Sequence, residues 1–308
     1  MKQRAYQQVD VFTDTAFLGN PLAVVLDGSG LSDAQMQTFA AWTQLSETTF
    51  VLPPTPEGAA GGADYRVRIF TPGAELPFAG HPTLGSCHAW LEAGGQPHDG
   101  EFIVQQCAVG LVKIRREGQR LAFAAPPLKR SEIAPELLAG ITEALGLQPR
   151  QVRAAQRLDN GPVWHGLLLD APETVLGLQP DHARLVALGA KVGVAAAYPH
   201  EERVALIARR NREARAFAGT ERPREASPDL EVRGFAAPMG VNEDPVTGSL
   251  NASLAQWLMA EGLMPERYLA SQGVCLGRAG EVHLLRDSAG QVWVGGDAVT
   301  CVDGRVRM

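Results

Sequence analysis

The chain has 308 residues, of which 45% are hydrophobic and 20% are charged, with a formal net charge of −6. At roughly 150 residues per domain, this length predicts two domains that each bury a core. Lys and Arg are dispersed along the chain, which argues against nucleic acid and anionic membranes as partners. The polar start of the chain shows no signal-peptide or membrane-spanning pattern, and this predicts a cytoplasmic protein.

The cysteine, histidine and glycine patterns argue against several classes of protein. Four widely spaced cysteines form no Cys-x-x-Cys pair, so we expect reduced thiols and neither a disulfide framework nor a structural zinc. The histidines lack close ligand spacing, and no glycine motif for nucleotide phosphates is present. A Gly-x-Ser-x-Gly nucleophile elbow is also missing, which disfavours a hydrolase of that type. The sequence therefore predicts no metal and no cofactor.

In chain order, the first half alternates strands with turns. Strands are predicted at 9–13 and 22–26, followed by a helix that Ser32 caps and that runs through Gln44. Further strands are predicted at 48–52 and 65–70, on either side of a surface loop at 53–63 that is rich in Pro, Gly and Ala. Three strands then follow between Phe102 and Phe123 as a meander, with a turn at Glu117-Gly118.

The second half repeats this style after a linker. Pro126 and Pro127 indicate a domain boundary within 124–131, and Ser131 is expected to cap the next helix. Strands alternate with helical stretches beyond it, at 154–158, 163–169, 192–196, 204–209 and 230–235.

One motif occurs in both halves with the pattern x-Pro-x-x-Gly-Ser. The two copies are His81-Pro82-Thr83-Leu84-Gly85-Ser86 and Asp244-Pro245-Val246-Thr247-Gly248-Ser249. Each copy follows a predicted strand and precedes a helix of small and apolar residues, at 85–93 and 248–260. This context indicates a duplicated fold with two buried central helices. Because helix starts carry free amides, we expect two anion-binding sites facing one cleft.

Four polar residues near these segments are candidates for chemistry, and each also has an ordinary structural explanation. Glu47 lies where the first helix gives way to a strand, and a single glutamate at such a place is usually solvated. Asp244 is a natural N-cap, His81 suits capping or packing, and Ser249 suits a helix of small residues. Capping alone does not account for a polar residue recurring in the same motif.

Three arginines could neutralise a substrate carboxylate. Arg66, Arg68 and Arg233 lie in predicted strands. Arginines in strands are more often at the surface, and we interpret these three in that way.

The chain resembles the PhzF family in five segments, which occur in order along nearly its whole length. They are Val9-Asp10-Val11-Phe12-Thr13, Gly19-Asn20-Pro21-Leu22-Ala23-Val24, Ser46-Glu47-Thr48-Thr49-Phe50, Gly80-His81-Pro82-Thr83-Leu84-Gly85 and Glu243-Asp244-Pro245-Val246-Thr247-Gly248-Ser249. The resemblance implies a diaminopimelate epimerase-like α+β fold: two pseudo-symmetric halves, each with a curved mixed β-sheet wrapped around a central helix. It assigns residues 1–124 plus 294–308 to the N-terminal half and 125–293 to the C-terminal half, with the active site between them.

The resemblance also implies a function. It predicts an isomerase that moves a proton between carbons of a small carboxylate-bearing substrate without metal or cofactor, as in the dihydro-hydroxyanthranilate isomerase of phenazine synthesis. It further implies a homodimer.

Site residues follow from the matching motifs. Glu47 is expected to be the catalytic acid and base, with His81 and Asp244 as catalytic polar groups that hold the substrate. The substrate-binding residues are expected to be Gly80, Gly248 and Ser249.

Two alternatives stay open at this point. One is a non-catalytic module that binds a small molecule or protein on the same fold. The other is a racemase or epimerase that uses two bases, such as Glu47 and Asp244. A pair of catalytic thiols is disfavoured, because Cys87 falls in the body of a predicted helix.

Overall fold

The computed structural model describes residues 1–199 and 227–308; the strand predicted at 204–209 lies outside them. Three helices belong to the first half: α1 (Asp33–Thr43), α2 (Pro56–Ala60) and α3 (Gly80–Glu92). Its strands up to residue 124 are β1 (Gln3–Val11), β2 (Asn20–Val25), β3 (Thr48–Leu52), β4 (Tyr65–Phe70), β5 (Glu75–Leu76), β6 (Phe102–Cys107), β7 (Gly110–Glu117) and β8 (Arg120–Ala124).

The rest of the described chain adds four helices and ten strands. The helices are α4 (Pro135–Ala144), α5 (Pro172–Gly177), α6 (His182–Leu188) and α7 (Gly248–Ala260). The strands are β9 (Lys129–Ser131), β10 (Val152–Asp159), β11 (Val163–Leu169), β12 (Val192–Ala197), β13 (Leu230–Ala236), β14 (Val241–Asp244), β15 (Arg267–Gln272), β16 (Gly280–Arg286), β17 (Val292–Gly296) and β18 (Ala298–Arg307).

Strand pairing shows the duplication directly. Strands β2 and β3 pair in parallel, as do β11 and β12, and the parallel pair β4 and β6 is matched by β13 and β15. The antiparallel neighbours repeat in the same order, from β1 with β2 and β10 with β11 to β7 with β8 and β16 with β17. The predicted α+β fold with two pseudo-symmetric halves is therefore confirmed, and within the described residues the strands of both halves join into one mixed sheet.

Three pairings tie the halves together. Strand β18, which follows β17 in the chain, pairs with β1. Its counterpart β9, which follows β8, pairs with β10. The first strand of each half is therefore paired with the strand that follows the last repeated strand of the other half. Strand β8 pairs with β17 across the junction of the halves. The predicted domain ranges stay a prediction, and their division between 293 and 294 falls inside β17.

Central helices α3 and α7 are enclosed by the sheets. Most residues of both are buried, as their small and apolar composition predicts. Small residues let a sheet approach the helix: a Cβ built on Gly85 would lie 2.6 Å from Leu22 Cδ2. None of the helices in the described residues combines the length and the hydropathy needed to cross a bilayer.

Local signals predicted some element boundaries and missed others. Ser32 caps α1 as predicted, and in the structure it forms a capping box with Gln35. The loop predicted at 53–63 contains α2, because Thr55 caps a turn that begins with Pro56. The prediction that Ser131 caps a helix is wrong: Ser131 ends β9, which pairs with β10, and α4 begins at Pro135.

The repeated sequence motif is out of register with the structural repeat. Helix α3 begins at Gly80, five residues before the predicted start, whereas α7 begins at Gly248 as predicted. Gly80 therefore corresponds to Gly248, and His81 corresponds to Ser249. The prediction that Asp244 is an N-cap is also wrong, because Asp244 ends β14 and Thr247 holds the N-cap position.

Candidate active site

The starts of the two central helices meet at the junction of the halves. A Cβ built on Gly248 would lie 3.1 Å from Gly80 Cα and 3.3 Å from His81 N, and one on Gly80 would lie 2.8 Å from the Phe123 ring. Glycine at both positions allows this close backbone approach, because an added Cβ would crowd its neighbours. Since the first amides of a helix have no partner within it, two positive helix ends face the same place.

Glu47 lies beside this junction. Helix α1 ends with Gln44 in the left-handed conformation, and Glu47 occupies the short turn before β3. Its Oε2 atom is 3.6 Å from His81 Nε2, and the two side chains are 17% and 6% exposed. Within the described part of the chain, neither of these two atoms has a hydrogen-bond partner. Both are therefore left to interact with a ligand.

Burial decides the charge of this pair. It raises the pKa of Glu47 to about 8, with the nearby charge of Asp244 as the second cause. It lowers the pKa of His81 to about 3. At neutral pH the imidazole is therefore neutral and the Glu47 carboxyl is mostly protonated, so their contact is not an ion pair.

Asp244 is held by residues from both halves. Its Oδ1 accepts a hydrogen bond of 3.0 Å from Asn20 Nδ2, and its Oδ2 accepts one of 2.7 Å from Thr247 Oγ1. Burial raises the pKa of Asp244 to about 6, while these two hydrogen bonds oppose the rise and the charge of Glu243 adds to it. Asp244 is therefore ionised at neutral pH, next to a protonated Glu47.

Ser249 lies in the first turn of α7. Its Oγ accepts a hydrogen bond of 3.1 Å from Trp164 Nε1, and its backbone oxygen accepts one of 3.0 Å from Asn160 Nδ2. A hydroxyl that accepts from an indole keeps its own proton for another acceptor. Ser249 can thus donate to a ligand at the helix start.

The structure brings the six predicted site residues together around the starts of the two central helices. It also shows contributing residues that the sequence analysis missed. Asn20 stood in a quoted motif without a role, and Gln272 was not considered. Arg233 was interpreted as a surface residue, and this is wrong: its side chain is 6% exposed and forms two hydrogen bonds with Glu243, next to Asp244. Strand β13 is buried along its whole length, which the sequence pattern alone did not reveal.

Other candidate groups do not join this site. Cys87 is buried within α3, and burial raises the pKa of its thiol to about 12, so it stays protonated. Within residues 1–199 and 227–308, no three His, Cys, Asp or Glu side chains are grouped as metal ligands would be. The expectation of no metal and no cofactor stays a prediction.

Comparison with known proteins places this chain in a family. The sequence matches the family described as phenazine biosynthesis-like protein, PhzC-PhzF, over residues 9–304. Antisense-enhancing sequence 1 of Schizosaccharomyces pombe is 33% identical over 99% of each chain. Trans-2,3-dihydro-3-hydroxyanthranilate isomerase of Pseudomonas aeruginosa is 31% identical over 98% of this chain and 99% of that protein. The crystal structure of a PhzF-family phenazine biosynthesis protein of Bacillus anthracis covers 100% of both chains with a TM-score of 0.79 at 21% identity.

The fold is a pseudo-symmetric α+β fold in which the starts of the two central helices meet at the junction of the halves. The chain belongs to the PhzC-PhzF family. The predicted enzyme class, an isomerase of this family, is confirmed.

Proposed function

We propose that this protein is a cofactor-independent isomerase in which Glu47 moves a proton between carbons of a small carboxylate-bearing substrate. The observation that carries the proposal is the environment of Glu47. A carboxyl with a pKa of about 8 lies 3.6 Å from a neutral imidazole, and both facing atoms are without partners in the described residues. General acid/base catalysis is most efficient when the pKa of the catalytic group lies near the operating pH.

The helix starts supply the substrate's anchor in this proposal. The amides that begin α3 and α7, at Gly80 and Gly248, converge where the helices meet. Free helix amides and aligned peptide dipoles favour a carboxylate at this position. The Ser249 hydroxyl adds a donor from the second half.

The chemistry then needs one proton carrier and one stabiliser of charge. A C–H bond forms as the protonated Glu47 donates its proton to one carbon of the substrate, and a C–H bond breaks at a second carbon as its proton passes to the Glu47 carboxylate. The electron pair moves through the substrate's conjugated bonds between the two carbons. Because the pKa of Glu47 is near neutral, changing its protonation state at pH 7 costs about 1 kcal/mol. Helix amides near Glu47 stabilise the negative charge that its carboxylate carries between the two steps.

The substrate class follows from the site and from one relative. The relative named trans-2,3-dihydro-3-hydroxyanthranilate isomerase supports a cyclic, unsaturated amino or hydroxy acid as substrate for this chain. We propose that compound as the first probe, followed by a panel of cyclic unsaturated acids, with the reaction monitored by proton NMR. Movement of a ring proton in any of them supports the proposal, and binding without proton movement across the panel contradicts it.

A two-base racemase is the second candidate, and the geometry at Asp244 argues against it. Both Asp244 oxygens already accept hydrogen bonds from side chains, so neither is free to take a proton from carbon. Asp244 is thus suited to orient a substrate amino or hydroxyl group. Inversion at a single carbon, without migration of a double bond, is the result that favours the racemase.

Further predictions stand on the family resemblance. A homodimer is tested by light scattering, which should give twice the chain mass of 32.9 kDa. The cytoplasmic location is tested by fractionation of cells that express the protein at its natural level. The third candidate is a non-catalytic binding module. The result that would favour it is tight binding of an acid from the panel without any proton movement.

A further inference from the structure

A buried chain of hydrogen bonds ends on Asp244, and its direction is fixed. Gln272 Oε1 accepts from the Thr247 backbone amide at 3.0 Å, and Gln272 Nε2 donates to the Asp244 backbone oxygen at 3.0 Å. A backbone amide only donates and a backbone carbonyl only accepts, so the orientation of the Gln272 side chain is determined. Asn251 Nδ2 donates to the same Gln272 oxygen at 2.8 Å.

The direction continues through Thr247. Gln272 Nε2 also donates to Thr247 Oγ1 at 2.9 Å, which leaves the hydroxyl proton of Thr247 for Asp244 Oδ2. Thr247 occupies the N-cap of α7, yet its side chain makes no capping hydrogen bond. An N-cap threonine ordinarily accepts from a helix amide, so this hydroxyl serves the carboxylate and not the helix.

Asn20 fixes the other oxygen from the first half of the fold. Its Nδ2 donates to the Val246 backbone oxygen at 2.9 Å, which determines the orientation of the amide, and also to Asp244 Oδ1. Asn20 and Gln272 are fully buried, so water does not compete for these bonds. Both oxygens of Asp244 therefore face donors, and protonating either one weakens a hydrogen bond.

Glu47 has the opposite surroundings. Its buried Oε2 has no hydrogen-bond partner among the described residues, and His81 Nε2 lies 3.6 Å from it. An ionised oxygen without a donor is costly to bury, whereas a carboxylic acid is less so. The remaining charges near Asp244 are those of Glu243, which is paired with Arg233, and of Glu47 itself.

We infer that Asn20 and Thr247, the latter aligned by Gln272, are positioning residues that hold Asp244 as the ionised hydrogen-bond acceptor and so place the site's proton on Glu47. This inference rests on the proposed function and makes it more specific. The resting enzyme is loaded with a proton, and its cycle begins when Glu47 donates that proton to a substrate carbon. Glu47 then recovers a proton from the second carbon.

The first half contains a matched control. Gln105 Nε2 donates to Thr83 Oγ1 at 3.0 Å, and Thr83 Oγ1 donates to the Ala79 backbone oxygen at 2.9 Å. This chain also joins a buried glutamine on a strand to a hydroxyl at a central helix, but it ends on a carbonyl. Thr83→Val therefore removes a comparable hydroxyl without removing a donor to a carboxylate.

The test is a carboxyl titration of the ligand-free protein by infrared and ¹³C NMR spectroscopy. At pH 7, wild type should show a protonated carboxyl signal that Glu47→Gln removes and Asp244→Asn does not. Thr247→Val should move the midpoint of the Asp244 titration up by about one pH unit, because it loses one hydrogen bond to a charged group. Thr247→Ser should restore the midpoint, and Thr83→Val should leave it unchanged.

Two results would overturn the inference: loss of the signal in Asp244→Asn with retention in Glu47→Gln, or an unchanged Asp244 midpoint in Thr247→Val. If Thr247→Val does not fold, Asn20→Ala removes the donor to the other oxygen and is expected to raise the same midpoint. The titration needs no substrate. Its outcome therefore decides the proton's location separately from the assay of proton movement, on which the proposed function depends.

Discussion

Gly80 and Gly248 touch across the junction of the two halves, and this contact sets how closely the helix starts approach. A Cβ at position 248 would lie 3.1 Å from Gly80 Cα, so a larger residue there would push the two helix starts apart. The paired helix starts therefore depend on two glycines that the sequence motif did not align with each other.

We predict that Gly248→Ala destabilises the protein by about 1–3 kcal/mol, as overpacking of a filled core does, and abolishes turnover. Gly177→Ala is the matched control, because a Cβ at that helical glycine would contact nothing within 4 Å. Thermal unfolding and the proton-movement assay measure both variants. Equal behaviour of the two would show that the contact between the helix starts is not needed.

Stability should depend on pH through Glu47. Its pKa in the folded protein is about 8, above the ordinary value of 4.5, so the folded state binds the proton more tightly. The contribution of Glu47 to stability is therefore fully present below about 4.5 and is lost as pH rises through about 8.

Glu47→Gln should consequently be more stable than wild type, by a margin that grows between about pH 4.5 and about pH 8 to the order of a few kcal/mol. Urea unfolding at several pH values measures it. Replacement of Glu132, which is exposed, by Gln controls for the loss of one carboxyl. A margin that shrinks with rising pH would contradict the assigned protonation state.

The Arg233–Glu243 pair should be worth far more than a surface pair of the same type. Both side chains are less than a tenth exposed, and Arg233 also donates to the backbone oxygens of Val175 and Leu178. Arg233→Met leaves a buried carboxylate unpaired next to Asp244, and we expect a loss of about 3–5 kcal/mol.

Arg184 forms a comparable two-bonded pair with Glu143 on the surface. Arg184→Met should cost less than about 1 kcal/mol. Denaturant midpoints compare the two variants, and similar losses would mean that the burial of Arg233 does not matter.

Activity should have a bell-shaped pH profile. The loaded site needs Asp244 ionised and Glu47 protonated, so kcat/KM should fall below about pH 6 and above about pH 8. The two limbs belong to the coupled pair of carboxyl groups. Asp244→Asn should lose the acidic limb along with much of the activity, and a profile that is flat across both values would contradict the assignment.

Much of the fold was predictable because its signals are local or periodic. Ser32 and Gln35 cap α1 within three residues of each other, and the turn at 117–118 joins β7 to β8 as its sequence indicates. The helix after the linker, α4, was predicted to begin too early, at Ser131, because Ser131 pairs in a sheet. Such pairing depends on a strand that is distant in sequence. The central helix α3 was predicted to start late because an accidental motif match hid the correspondence of Gly80 with Gly248.

The site was predictable only where family motifs marked it. Glu47, His81 and Asp244 lie in such motifs, whereas two residues that hold Asp244, Asn20 and Gln272, are distant from it in sequence. Asn20 reaches the Asp244 side chain across 224 positions, and Gln272 reaches the Asp244 backbone oxygen across 28. Arg233 looked like a surface residue because a strand pattern does not reveal that both faces of β13 are covered.

The central claim, that Glu47 carries the proton, is tested most directly by comparing wild type with Glu47→Gln on one substrate found in the acid panel. The account predicts that the variant folds, binds the substrate with similar affinity and shows no detectable movement of the proton by NMR. An active Glu47→Gln enzyme, with turnover near that of wild type, would contradict it.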